Sequence, residues 1–233
     1  PGSKKRRAVR AAIAMLVLAV GGGGALSLTS YGPFGWYYLE GILRGSEHQK
    51  LLESTITTAR RALAQDTYPD ARRALKEIQT AREAAKRVPG IAAYSVFVAA
   101  MYELRFGEDA EANARAKVTL EELVHVKDAP YLELARAGNE AVAGQLARSS
   151  SAVERFARQR PRDIDVLVLR GEVALLGNKP PEAVVAWEAA AAVEAIVRCF
   201  CCKRARMALI MAVNSQIVSA VGEVETLVAD REV

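Results

Sequence analysis

Apolar residues recur at helical spacing along most of the chain from Gly45 onward. Leu52, Ile56, Ala59 and Leu63 lie on one helix face, and Asp66 with Tyr68-Pro69 interrupts the pattern. Ala74, Ile78, Ala81 and Ala85 resume it until Pro89-Gly90 stops it. A strongly apolar helix is predicted from Ile91 to about Phe106, closed by Gly107. Ala112, Ala116, Leu120 and Leu123 mark the next, and Asp128 to Pro130 breaks it. Tyr131, Ala135, Val142 and Leu146 predict another helix, with a turn at Ser149 to Ser151. A short helix carrying Ala152 and Phe156 then ends at Pro161. Two further helices, Ile164 to Leu176 and Pro181 to Glu194, are separated by Gly177-Asn178-Lys179-Pro180. No segment alternates as a strand would. Alanine is abundant and aromatics make up only 6% of the chain, which favours closely packed helices over a β sandwich. The expected fold class is all-α, with antiparallel helix pairs joined by short turns.

The N-terminal part has a different texture. Residues 11–39 contain no charged side chain, and AAIAMLVLAVGGGGALSLT alone supplies 19 residues, about what crosses a hydrocarbon core. Just before it stand Lys4, Lys5, Arg6, Arg7 and Arg10 with no acid among them. Just after it come Tyr31, Phe34, Trp36, Tyr37 and Tyr38, whose amphipathic rings suit a membrane–water interface. The expectation is a basic cytoplasmic flank at 1–10, then a transmembrane helix and aromatic interface segment at 11–39. The basic flank keeps the N-terminus in the cytoplasm. The chain would then pass once through the inner (cytoplasmic) membrane, with the rest on the periplasmic or outer side. A cleaved signal peptide has the same layout, but this apolar run is long for one. The chain opens on Pro rather than Met, so further residues are expected before the cluster.

This placement also accounts for the net charge of +5. Without the five clustered cations, acids and bases balance, so no basic face is expected for nucleic acid.

A repeat is most legible in VLRGEVALLGNKPPEAVVAWEAAAAVE, residues 168–194. Gly171 gives room for a close helix approach. Ala183 lies one turn before Trp187 on the same face, and Ala190 follows three residues later. This unit resembles the tetratricopeptide repeat (TPR), although Ala195 stands where that family usually has proline. Asp66, Tyr68, Ala71 and Leu75 resemble part of an earlier unit. Gly107 with Ala112, and Ala152 with Phe156, resemble two more. The small-residue positions 71, 112, 152 and 183 are spaced by 41, 40 and 31 residues, against a family period of about 34. The resemblance is to membrane-anchored bacterial-type TPR proteins. It implies an α-solenoid over 46–195 that binds protein partners through a groove lined by the first helix of each pair. Groove candidates on that reading are Arg60, Tyr94, Phe97, Met101 and Glu172, with Phe97 and Met101 equally suited to the core.

Chemistry-bearing motifs are scarce. No phosphate loop, nucleophile elbow or His-Glu-x-x-His helix is present, and the two histidines are far apart in sequence. Glu121 and Glu122 are adjacent and diverge on a helix, which suits a solvated face. Cys199, Cys201 and Cys202 cluster in an atypical tail, 196–233, expected to be helical. They lack a nearby fourth ligand and are too crowded to pair fully, so neither a metal site nor a catalytic role is expected. The function expected is a membrane-anchored protein–protein interaction scaffold of a cell-envelope complex. It would touch the bilayer through 11–39 and need no enzyme activity, cofactor, metal, nucleic acid or small-molecule substrate. The alternative is an all-α envelope enzyme with carboxylate chemistry not visible as a motif.

Overall fold

Two aspartates start helices in the same way. Asp109 Oδ1 accepts from the backbone N–H of Glu111 at 3.1 Å and of Ala112 at 3.0 Å. Asp163 Oδ1 accepts from Asp165 at 3.1 Å and Val166 at 3.5 Å. Each bond satisfies a first-turn donor that has no intrahelical acceptor. Between helices the backbone turns through left-handed residues: Asp66 at φ +53°, Tyr131 at +66° and Asn178 at +56°.

The computed structural model describes residues 13–15, 17, 21, 35–86, 88–126, 129–193 and 202–212. Among these the order is α1 Gly35–Leu63, α2 Tyr68–Ala84, α3 Pro89–Phe106, α4 Ala110–Glu122, α5 Leu132–Val142, α6 Leu146–Gln159, α7 Ile164–Leu176 and α8 Pro180–Val193. A further helical segment covers 202–212. The described chain is all-α and contains no strand. No helix in it is long and apolar enough to cross a membrane. The basic flank 1–10 and most of the predicted span 11–39 lie outside the described residues, as do Cys199 and Cys201.

Three boundaries differ from the sequence expectation. Pro89-Gly90 opens α3 rather than only closing α2, because proline lacks only an N–H that the first turn leaves unpaired anyway. Ser149 to Ser151 form no turn; they lie inside α6. The hydroxyl of Ser149 is buried and donates to the carbonyl of Ala137 at 2.8 Å, and the break falls earlier, at Gly144 with φ +74°. α1 passes unbroken through Gly41 and Gly45, so no break at 40–45 separates the aromatic segment from the helical domain. Each lone glycine costs a helix only about 1 kcal/mol.

The described residues divide into two compact units. One takes the chain up to Ala59 together with Arg72–Arg136; the other takes Arg60–Ala71 and the chain from Ala137 onward. Each has one helix that is apolar nearly all round and correspondingly enclosed. In the first unit this is α3, buried from Pro89 to Glu103. Ala92 and Ala93 pack with Leu123, Val126 and Leu132. The Tyr94 ring meets Tyr131 edge-on at 5.0 Å and Phe97 at 5.4 Å. In the second unit the enclosed helix is α7, which packs against both α6 and α8.

Candidate functional site

α7 and α8 meet where a side chain would not fit. A Cβ placed on Gly171 would lie 2.2 Å from Nε1 of Trp187, so glycine is required for this approach. Ala183, Ala186, Trp187 and Ala190 form the buried stripe of α8 at helical spacing. Trp187 is wholly enclosed, and its indole N–H has no hydrogen-bond partner among the described residues. Arg204, from segment 202–212, covers the same spot. Its guanidinium stands 5.6 Å from the centre of the Trp187 ring and forms an ion pair with buried Glu172.

The other residues singled out by the repeat pattern are placed as follows. Ala71 and Ala112 are buried. Ala152 and Phe156 are half-buried, and Ser149 and Val153 are the buried positions of α6. The groove candidates are engaged internally. Tyr94, Phe97 and Met101 lie in the core of α3 with no side-chain surface to offer a partner. Glu172 holds Arg204. Arg60 reaches the start of α7, donating from Nε and Nη2 to the two Asp165 oxygens at 3.2 and 2.7 Å. That fork neutralises a buried carboxylate and ties the end of α1 to α7. All five take part in packing or internal charge pairing, Arg60 remaining half-buried.

Open surface lies elsewhere. In the first unit, α2 and the turn after it present Gln79, Arg82, Glu83 and Lys86 at i, i+3, i+4 and i+7, facing Arg115 and Glu122 of α4. Together they line a cleft of about 420 Å³. Arg82 pairs with Glu122 at 2.8 Å, and Arg115 donates to Gln79 at 3.0 Å. Arg115 also pairs with Glu111 at 2.5 Å, so the three cations of the cleft stand against three acids, Glu83, Glu111 and Glu122. In the second unit a smaller cleft of about 250 Å³ runs past Val153, Glu154, Arg170 and Glu182. Arg170 and Glu154 close one side of it as a fork, at 2.7 and 3.2 Å. The first cleft is not legible in the amino-acid sequence. Polar residues at this spacing read as a solvated face, and only the arrival of α4 opposite them makes a cleft.

Two carboxyls hold their protons more tightly than usual, and neither lines these clefts. Burial pushes Glu103 up from its ordinary 4.5 to about 7, helped by the nearby charges of Asp109 and Glu108. Its Oε2 is buried with no hydrogen-bond partner among the described residues. Asp163 is raised by burial and then by the charge of Asp165; N–H donation from the α7 start and the charge of Arg60 oppose the shift. Among the described residues no group of three or more His, Cys, Asp or Glu side chains could hold a metal, and Cys202 is a free, exposed thiol.

Comparison with family models, curated proteins and solved structures finds no match.

Proposed function

We propose that this chain is a membrane-anchored scaffold of a cell-envelope complex. On this reading it is held by residues 11–39, with its helical domain on the periplasmic or outer side. The helix pairs stack as a TPR-like α-solenoid, the α7–α8 pair being the best-formed unit. The observation that carries the binding role is the open, charged cleft between α2 and α4. It is shallow, lined by polar and charged side chains, and long enough along one helix face to take a peptide segment. Its alternating, balanced charges favour a polar partner segment that carries charges of both signs.

The enzyme alternative would require a shifted acid facing a pocket. Glu103 and Asp163 instead sit where helices begin and end, which favours a structural role for both.

Two experiments test the proposal. A reporter active only outside the cytoplasm, fused after Ala195, should be active in cells; an inactive fusion contradicts the orientation. Full chain pulled from detergent-solubilised membranes should carry a reproducible partner set. Lys86→Glu with Arg115→Glu should lose that set while keeping the helical signal. A set unchanged by the charge reversal removes the cleft from the proposal.

A further inference from the structure

Segment 202–212 has two unlike faces. Ala205 and Ala208 are buried, and Arg204 is fixed by Glu172 and Trp187. Outside that buried stripe, Met207 is 48% exposed, Leu209 52%, Ile210 60% and Met211 51%. Met207, Ile210 and Met211, at i, i+3 and i+4, lie on one side of the helix and form a small apolar patch, while Leu209 points away from them. Lys203 and Arg206 are exposed as well, and the segment contains no acid. Lys203, Arg206 and Ile210 fall at i, i+3 and i+7, so the two cations share the outward face with Ile210 and precede it by one to two turns.

We propose that this face rests on an anionic phospholipid surface. A helix lying in the interface sinks its apolar face about 5–10 Å into the headgroup–acyl boundary, and Lys and Arg on its flank reach phosphates along their flexible stems. Lys203 and Arg206 then meet phosphate oxygens while Met207, Ile210 and Met211 enter the apolar boundary. Arg204 does not compete for lipid, because Glu172 neutralises it. Anionic headgroups complement Lys203 and Arg206 in any orientation, whereas a second copy of the chain brings no acid in this segment to meet them. A bilayer also asks for no shape complementarity from so small a patch. The inference does not depend on the scaffold reading.

The test reads local depth, so it is independent of whether residues 11–39 anchor the chain. In full chain with Cys199, Cys201 and Cys202 replaced by Ser, Ile210→Cys carries an environment-sensitive fluorophore. A second label at Met207→Cys guards against a local effect, and one at exposed Arg148→Cys serves as the control. In vesicles containing phosphatidylglycerol, emission from 207 and 210 should shift to the blue and be quenched by nitroxides on the lipid chains. The label at 148 should do neither. Lys203→Gln with Arg206→Gln should lower the ratio of inserted to free segment roughly 25-fold, about fivefold per cation. Three results would overturn the proposal: no shift in any vesicle, a shift that grows with protein concentration without lipid, or one that appears only with an added protein fraction. The second would assign the face to self-association and the third to a protein partner.

Discussion

Trp187 and Gly171 act as one packing unit, because the indole occupies the space that any larger residue at 171 would need. Trp187→Ala should cost about 3–5 kcal/mol, as for other enclosed aromatics. Gly171→Ala should cost about 1–3 kcal/mol or more, since the clash is with a ring that has nowhere to move. In a Trp187→Leu background the same Gly171→Ala change should cost much less, because the clashing atoms are gone. Denaturant unfolding of the four variants checks this; additive losses would mean that the two residues do not share the site. Glu103 gives a second expectation. Folded, it keeps its proton to about pH 7, whereas unfolded it releases it near its ordinary 4.5. The folded state therefore binds more protons in that window, and stability should fall as pH rises from about 4.5 to 7. Glu103→Gln should remove that part of the slope. Unfolding curves at a series of pH values, compared between the two proteins, read it directly. Parallel curves would mean that Glu103 is not held protonated.

Among the helices, what the sequence makes legible is what local chemistry controls. Gly177 to Pro180 delimits α7 and α8 because a glycine and a proline act on their own backbone, whatever packs nearby. The serines at 149 to 151 mislead for the opposite reason. A long-range bond to the Ala137 carbonyl rewards Ser149 for staying helical, and nothing near it in sequence reveals that acceptor. The burial of Tyr94, Phe97 and Met101 on α3 follows from the composition of the helix. A helix apolar on every side must be enclosed, which settles Tyr94, Phe97 and Met101 as core. The cleft between α2 and α4 was hidden because its residues become a site only when two elements face each other. Segment 202–212 shows the same dependence on tertiary partners. Arg204 is its main polar tie to the α7–α8 pair, and its loss leaves Glu172 buried and unpaired. Arg204→Ala should cost about 3–5 kcal/mol. Backbone amides of 202–212 should then exchange with solvent at the rate of an open chain. Adding Glu172→Gln should recover much of the stability, since the stranded charge is removed. Hydrogen exchange of the single and double variants separates the two effects; retained protection in Arg204→Ala would show that Ala205 and Ala208 alone hold the segment.

At the level of the whole chain, sequence and structure contribute different parts. The basic flank and the uncharged run at 11–39 argue for placement at a membrane, through features that need no fold to be read. The described helices supply the surface on which a partner could act, and its position could not be read from the chain alone. The scaffold reading joins these parts and is most exposed at the cleft. The direct test is site-specific photo-crosslinking in intact cells, with a photoreactive residue placed at Gln79 or Lys86 and, for comparison, at exposed Val118. Discrete adducts of the same mass should form from positions 79 and 86, be absent from 118, and disappear when Arg115 is changed to Glu. Cleft positions that yield no adduct, or only the adducts also seen from 118, would contradict the scaffold reading.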